Sequence, residues 1–243
     1  MSVDSANAPQ SLADWLAYLE RIHPSAIDMG LERVSAVRDR LGLAPEFPII
    51  TVGGTNGKGS VCAMLEAILS SAGYRVGLYA SPHLLRYNER VKVARREVDD
   101  TTLVRAFERV ERARTPDSLT YFEFGTLAAM VVFLRGKVDV AVLEVGLGGR
   151  LDAVNSFDAN CTVVTTVDFD HMDYLGPDRE SIAREKAGIF RSRVPAVCGD
   201  EEPPATLTGH AANIGAPLVL IGRDYGYNAG RGDWQYWSLQ GKR

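Results

Sequence analysis

One glycine-rich stretch carries a lysine in a setting that suits phosphate chemistry. It reads Gly-Gly-Thr-Asn-Gly-Lys-Gly-Ser from Gly53 to Ser60, directly after the apolar run 49–52. Glycines let the backbone turn tightly and aim several N–H groups at one anion, and a helix predicted after the stretch adds its positive N-terminal end. Lys58 supplies a cation for the β/γ-phosphates, and the Ser60 hydroxyl lies near the metal in such sites. The stretch therefore predicts a nucleotide phosphate site.

The match of this stretch to the ordinary P-loop is imperfect. Gly59 follows Lys58 where that loop has serine or threonine, and Val52 stands where it has a glycine. A glycine-rich β-to-α turn that holds no ligand is the alternative, although an unpaired lysine has little structural use inside such a turn. The candidate nucleotide-binding residues are Gly54, Thr55, Asn56, Gly57, Lys58, Gly59 and Ser60.

Glu144 is a second candidate, at the end of the apolar run 138–145. A carboxylate at the tip of a buried strand is costly unless a cation meets it. Placed two strands from the glycine-rich stretch, it suits a hard oxygen ligand for Mg²⁺. A plain ion pair with Arg150 is the alternative.

Three carboxylates and a histidine follow another apolar run. Asp168, Asp170, His171 and Asp173 lie within six residues after the predicted strand 161–167. A neutral histidine nitrogen binds metals, so His171 is a candidate ligand, although a loop histidine is more often a surface residue. Two further residues are ambiguous alone, since Ser81 suits a turn cap as well as a ligand and Lys186 suits a solvated surface.

The elements that must position these residues alternate along the chain. Helical periodicity covers 12–22, 30–41, 57–72, 121–134, 179–190 and 203–214, with a further helix starting at Asp99 or Asp100. Strand-like runs cover 47–52, 75–80, 90–93, 138–145, 161–167, 194–198 and 218–221. Strands that are apolar on both faces predict an α/β fold with a mostly parallel sheet, helices on both faces and ligands at the carboxyl ends of the strands.

The last part of the sequence changes character. Aromatic residues alternate with glycines between Tyr225 and Trp237, a pattern typical of one or two antiparallel strands and a turn. Residues 234–239 have no partner strand after them. This region therefore predicts the start of a small antiparallel sheet in a domain that is cut short.

Composition and charge limit the classes of protein to which this chain can belong. The 243 residues are 46% apolar and 24% charged, enough for one large core or two small domains. A net charge of −4 argues against a nucleic-acid translocase, and no apolar run approaches the roughly 20 residues that span a bilayer. The polar start, 1–11, lacks the pattern of a secretory signal, and Cys62, Cys161 and Cys198 have no metal-ligand spacing. We expect a cytoplasmic protein with reduced thiols that binds neither nucleic acid nor membrane.

Seven motifs together resemble the folylpolyglutamate synthase/dihydrofolate synthase family, a branch of the Mur-ligase-like ATP-dependent amide ligases. The glycine after Lys58 is what this branch has, and the resemblance covers about residues 12–243. The motifs are Gly54–Ser60, Ser81–Leu84, Tyr87–Arg90, Thr120–Phe124, Glu144–Asp152, Asp170-His171 with Leu175-Gly176, and Glu185–Ile189. The resemblance implies that residues 1–243 are a Mur-ligase-like ATPase domain, incomplete at its C-terminal end, and that a Rossmann-like C-terminal domain lies outside the chain.

The resemblance also implies roles for individual residues. Ser81 and Glu144 match one Mg²⁺ site and His171 a second, and Lys186 matches a lysine carbamylated by CO₂. Lys58, Lys186 and His171 are the residues with implied catalytic roles. Residues matching the pteroate-binding segments are Ile27, Asp28, Thr120, Tyr121, Phe122, Glu123, Leu151, Asp152 and Ala153.

The resemblance implies a monomeric ligase that joins L-glutamate to dihydropteroate or a folate through an acyl phosphate. ATP, the pteroate or folate acceptor and L-glutamate would be its small-molecule substrates. Two rivals stay open: another Mur-type amide ligase, and a nucleotide-binding module without ligase activity. The Thr120–Phe124 segment favours a folate acceptor over the first rival. We expect the 243-residue chain alone to be inactive.

Overall fold

The computed structural model describes residues 9–239, in which eight α-helices and ten strands form one α/β fold. The strands are β1 Ile49–Gly53, β2 Val76–Tyr79, β3 Val91–Val93, β4 Arg96–Glu97, β5 Val140–Glu144, β6 Cys161–Val164, β7 Ala196–Cys198, β8 Leu218–Leu220, β9 Tyr225–Ala229 and β10 Trp234–Ser238. The helices are α1 Leu12–Leu19, α2 Glu32–Leu41, α3 Lys58–Ser71, α4 Asp100–Arg114, α5 Tyr121–Gly136, α6 Met172–Leu175, α7 Arg179–Ala187 and α8 Ala205–Ile214. Tyr87–Arg90 and Ala153–Ser156 form short 3₁₀ helices.

Strands β1 to β8 form one sheet in the order β4-β3-β2-β5-β1-β6-β7-β8. Six neighbouring strands, from β2 to β8 in that order, are parallel, and β3 and β4 are added antiparallel at one edge. The predicted mostly parallel sheet is therefore confirmed. The carboxyl ends of β1, β2, β5 and β6 meet at one edge, which is where ligands bind in such sheets.

Alternate residues of β5 belong to different apolar clusters, which places helices on both faces of the sheet. Ala141 and Leu143 pack in the larger cluster with α1, α2, α4, α5, α7 and α8. Val140 and Val142 pack in the smaller one, whose helical members come from α3. A strand buried on both faces reads as a continuous apolar run, which is why β5 was visible in the sequence.

Capping explains where several helices begin. Asp99 caps α4 by accepting from Thr102 N–H, which settles the choice between Asp99 and Asp100. Thr120 caps α5 in a capping box with Glu123. The predicted strand 161–167 ends earlier, at Val164, because Thr165 and Thr166 bond to the glycine-rich stretch instead of continuing the sheet.

The predicted small antiparallel sheet is confirmed, since β10 pairs antiparallel with β9, the strand that precedes it in the chain. One prediction about strand neighbours is wrong. Glu144 is closer than two strands from the glycine-rich stretch, because β5 is the immediate neighbour of β1. Chain order does not reveal strand order, since crossovers place distant segments side by side.

Other expectations concern cysteines and membranes. All three cysteines are free, and Cys62 and Cys198 are buried. No helix within residues 9–239 has the length and apolar character needed to cross a bilayer. The expected absence of a secretory signal concerns the polar segment 1–11. Most of that segment lies outside the described residues.

Candidate nucleotide and acceptor site

One cavity of about 610 Å³ opens at the carboxyl ends of β1, β2 and β5. Most of the residues singled out from the sequence line it: Ile27, Asp28, Thr55, Asn56, Gly57, Lys58, Gly59, Ser81, Thr120, Phe122, Glu123, Glu144, Leu151, Asp152, Ala153 and His171. Four others do not line it: Gly54, Ser60, Tyr121 and Lys186. The topology therefore brings the predicted phosphate, metal and acceptor segments to one place.

The phosphate loop, residues 53–60, is held against the segment that follows β6. Thr55 N–H donates to Thr166 C=O at 2.8 Å, and Asn56 N–H donates to the Thr166 hydroxyl at 3.2 Å. Gly57 caps α3 with a left-handed φ of +83° and no side-chain cap, so the first N–H groups of α3 remain available. This uncapped helix start borders the cavity and suits an anion.

Position 54 requires glycine because the Thr165 side chain lies very close to its backbone. Its φ is +140°, and a Cβ placed on it would lie 1.9 Å from the Thr165 hydroxyl oxygen. We expect Gly54→Ala to lower the free energy of unfolding by about 2–4 kcal/mol and to weaken nucleotide binding, since strain and overpacking add. Urea titration and binding of a fluorescent ATP analogue measure both effects.

Gly73→Ala is the matched control for this prediction. Gly73 also has a positive φ, +94°, but a Cβ there would meet nothing within 4 Å. Only the cost of the left-handed conformation applies, about 1 kcal/mol, and nucleotide binding should not change. Equal losses in the two variants would contradict the argument from the contact with Thr165.

The Lys58 ammonium is anchored to the loop that it belongs to. It donates to Gly54 C=O at 2.9 Å and to Thr55 C=O at 3.2 Å. Two of its three hydrogens are thus used for position, and the third remains for an anion in the cavity.

Glu144 lies beside the phosphate loop and is only 3% exposed. Its Oε2 accepts from Ser81 N–H at 3.1 Å, and burial raises the pKa of the carboxyl although Ser81 N–H and Lys58 oppose this. The alternative pairing with Arg150 is wrong, because Arg150 donates to Glu185 Oε1 at 2.8 Å. A buried carboxylate next to a hydroxyl and a phosphate loop fits a Mg²⁺ ligand.

The acidic segment after β6 does not gather around one point. Among residues 9–239, no three His, Cys, Asp or Glu side chains converge as a metal cluster. Of that segment, Asp170 and His171 line the cavity, with His171 Nε2 3.4 Å from Asp170 Oδ1 and its side chain 53% exposed. Mg²⁺ commonly takes one or two protein ligands and completes its shell with water and phosphate oxygens, so this sparse donor set still fits.

Lys186 is buried rather than solvated, with 1% of its surface exposed. Burial and the nearby Lys58 ammonium lower its pKa to about 8, against the opposing effect of Asp170. An amine of this pKa is neutral in about a tenth of molecules at pH 7, far more than an ordinary lysine.

The acceptor side of the cavity contains an aromatic ring and two engaged carboxylates. Phe122 packs against Tyr79, with ring centroids 5.6 Å apart. Glu123 accepts from Thr120 N–H at 2.7 Å and from Arg33 at 3.0 Å. Asp152 accepts from the N–H groups of Gly146, Leu147 and Val154, while burial raises its pKa to about 7. Both acids therefore hold the cavity wall in shape.

A family model described as the Mur ligase middle domain matches residues 52–237. The chain belongs to the Mur ligase family. The dihydrofolate synthase/folylpolyglutamate synthase of Escherichia coli (strain K12) is 52% identical over 235 residues, which cover 96% of this chain and 56% of that protein. The resemblance seen in the motifs is thereby confirmed.

Solved structures give the same result for this Mur ligase chain. E. coli FolC in complex with DHPP and ADP has a TM-score of 0.94 at 51% identity and covers 96% of this chain and 57% of that one. A bifunctional folylpolyglutamate synthase/dihydrofolate synthase with Mn, AMPPNP and L-glutamate bound has a TM-score of 0.90 at 46% identity, covering 96% and 57%. The chain spans about half the length of these relatives.

Two arginines at the site of this Mur ligase chain received no role from the sequence. Arg33 joins the candidate residues Asp28 and Glu123, at 2.8 and 3.0 Å. Arg90 lines the cavity itself. Arg90 was part of a motif that carried the resemblance, which was the available signal, whereas Arg33 was one of many arginines on helical surfaces.

Proposed function

We propose that this chain is the nucleotide-binding part of an ATP-dependent ligase that joins L-glutamate to dihydropteroate or a folate. One observation carries the proposal: the phosphate loop with Lys58 and the wall with Phe122 share a single cavity, and Glu144, at the end of β5, lines the same cavity. The solved structures of relatives hold DHPP and ADP in one case and Mn, AMPPNP and L-glutamate in another. The residues present therefore suit both the nucleotide and an aromatic acceptor.

An amine does not attack a carboxylate at a useful rate, because oxide would have to leave. Phosphorylation solves this: an acceptor carboxylate oxygen attacks the γ-phosphorus of ATP, ADP leaves, and the acyl phosphate loses phosphate when the glutamate amine attacks. The N–H groups of the loop and Lys58 hold the transferred phosphoryl group and offset its charge. Phe122 offers a flat face to the acceptor ring.

Ser81 and Glu144 are the proposed ligands of one Mg²⁺, and His171 of a second. A bound Mg²⁺ would supply positive charge against the phosphate oxygens. Glu144 brings the anionic oxygen that such an ion requires, and Ser81 N–H keeps this carboxylate in place.

Lys186 is the proposed site of carbamylation, which replaces an ammonium by an anionic oxygen ligand. The reaction needs a neutral amine, and a pKa of about 8 supplies one. At constant dissolved CO₂, we expect carbamate formation to increase as the pH rises through about 8. Incubation with ¹³C-labelled bicarbonate should give a carbamate carbon signal in NMR spectra of the protein.

The Lys186→Gln variant distinguishes carbamylation of Lys186 from carbamylation of other amines in the protein. It should lose the carbamate signal, and short carboxylates such as formate should restore part of its activity by providing the missing oxygen. Adding Arg184→Lys to the Lys186→Gln variant places a lysine one half-turn away on the exposed part of α7, and this double variant should also give no signal. A signal that persists in Lys186→Gln would contradict the assignment.

The relatives' length supports a further proposal about organisation. We place residues 1–243 in an ATPase domain that is completed, with a Rossmann-like ligase domain, by sequence outside the chain. On this view the protein is a cytoplasmic monomer. It would act on small molecules, and neither nucleic acid nor membrane would be a partner.

The experiment that tests the function is a substrate panel. Phosphate release should depend on L-glutamate together with dihydropteroate or tetrahydrofolate in the protein encoded by the full gene, and should be at background in the 243-residue chain. Release with a peptide or cell-wall nucleotide acceptor, and none with pteroate or folate, would favour another Mur-type ligase. ATP binding without release in either form would favour a nucleotide-binding module.

A further inference from the structure

Arg90 is a cation in the cavity wall without an anionic partner. The other charged groups of that wall are engaged: Asp28 and Glu123 pair with Arg33, and Asp170 faces His171. No carboxylate of residues 9–239 forms an ion pair with Arg90. A half-buried guanidinium is costly to desolvate without an anion, so its place in the wall calls for an explanation.

Three neutral rings hold the Arg90 side chain. Its guanidinium carbon lies 5.5 Å from the ring centroids of both Tyr87 and Tyr121. Its Nε–H donates to Nδ1 of His83 at 2.7 Å. Because arginine only donates, His83 must present a free lone pair at Nδ1. These contacts fix the guanidinium plane and leave the Nη1 and Nη2 hydrogens without a partner in the part of the chain that the structure describes.

Arg90 lies near two parts of the cavity wall, the segment after β2 and the acceptor wall with Phe122. Ala80 N–H donates to Arg90 C=O at 3.0 Å, so Arg90 sits beside the end of β2, next to Ser81. Tyr121, whose ring flanks the guanidinium, adjoins Phe122 of the acceptor wall. Arg90 is thus close both to the segment of the proposed metal ligand Ser81 and to the aromatic face.

We propose that Arg90 binds the carboxylate of the acceptor substrate and positions it for attack on the nucleotide. The inference rests on the proposed function, because it names the anchor for the group that is phosphorylated there. That carboxylate enters a cavity already lined by Asp28, Glu123, Glu144, Asp152 and Asp170. Lys58 is committed to the phosphate loop, which leaves Arg90 as the cation that can offset the repulsion. A planar guanidinium fork matches a carboxylate with two N–H groups.

Binding of an acceptor and its carboxamide tests this role. Dihydropteroate and the analogue whose carboxylate is a carboxamide are titrated calorimetrically into the full 243-residue chain with Mg²⁺ and a non-hydrolysable ATP analogue. The carboxylate should bind the chain about 10–100-fold more tightly than the carboxamide, in line with a buried charged pair. In Arg90→Gln this preference should fall to about threefold or less, with carboxamide binding unchanged. Arg90→Lys should be intermediate, because it keeps the charge and loses the fork.

Arg86→Gln is the matched control, since Arg86 directly precedes the short 3₁₀ helix that ends at Arg90, is exposed and makes a long contact of 3.4 Å to Asp100. It should keep the full carboxylate preference. A preference that survives in Arg90→Gln would overturn the role of Arg90 while leaving the function in place. Carboxamide affinity that falls as much as carboxylate affinity would also overturn it, because Arg90 would then only shape the cavity. Failure of the unmodified chain to bind either compound, together with the same failure in the protein encoded by the full gene, would overturn the proposed function with it.

Discussion

Replacing Lys58 with alanine is expected to lower the ligation rate of the full-length protein by about 10²–10³, equivalent to about 3–4 kcal/mol of transition-state stabilisation. The ammonium is fixed in advance by Gly54 C=O and Thr55 C=O, so it needs no reorganisation when charge develops on the phosphoryl group. Alanine removes this charge without filling the space. Rates of glutamate-dependent phosphate release at saturating ATP measure the loss.

Lys92→Ala serves as the control for the Lys58 variant. Lys92 lies in β3, the second strand from the edge of the sheet, and does not line the cavity, so its loss should leave the rate unchanged within about twofold. The 243-residue chain allows the same comparison through ATP affinity, with circular dichroism as the check of folding. Full ligation by Lys58→Ala would contradict a role for the ammonium in phosphoryl transfer.

The outline of the fold could be predicted because buried positions and helix starts each favour particular residue types. The β5 run is apolar at every position since both faces of that strand are covered, and Asp99 and Thr120 precede helices that they cap. The phosphate loop was also predictable, because a strand, glycines and a lysine follow one another within 12 residues. Each of these signals is local in the chain.

What the sequence could not reveal depends on long-range contacts. Arg33 pairs with Glu123 across 90 residues, and Thr165 packs on the phosphate loop across more than 100. The sequence pattern around Lys186 suits a surface lysine, but burial by distant segments lowers its pKa to about 8. The order of the strands, which makes β5 the neighbour of β1, also depends on contacts between distant segments. Residue identity sets the possible partners, and only the topology selects among them.

Replacing Glu144 with glutamine should produce two effects of opposite sign. Ligation should fall by about 10²–10³ or more, because the variant loses the anionic oxygen proposed for Mg²⁺ and keeps only an acceptor for Ser81 N–H. The free protein should become more stable at pH 7, because burial disfavours the ionised carboxylate that glutamine replaces. Phosphate release and urea unfolding without metal measure the two effects.

The stability effect has a defined pH dependence. Burial raises the pKa of Glu144 above its usual value of 4.5, so the folded state binds the proton more tightly than the unfolded state. The loss of unfolding free energy caused by burying the ionised carboxylate is therefore absent at low pH. It develops as the pH rises above the pKa that Glu144 has in the unfolded state. The advantage of Glu144→Gln in unfolding free energy should shrink when the measurement moves from pH 7 to pH 4.

Added Mg²⁺ and ATP analogue should reverse the order of stability. A ligand that binds only the folded state stabilises it in proportion to its affinity, so the unmodified protein should gain and Glu144→Gln should gain less. Glu66→Gln is the matched control: Glu66, on α3, is another buried carboxylate, but it does not line the cavity and should respond to the ligands as the unmodified protein does. Equal metal-dependent stabilisation of Glu144→Gln would exclude Glu144 as a ligand. Because a merely structural carboxylate cannot make stability depend on metal, this comparison separates the two roles that burial alone leaves open.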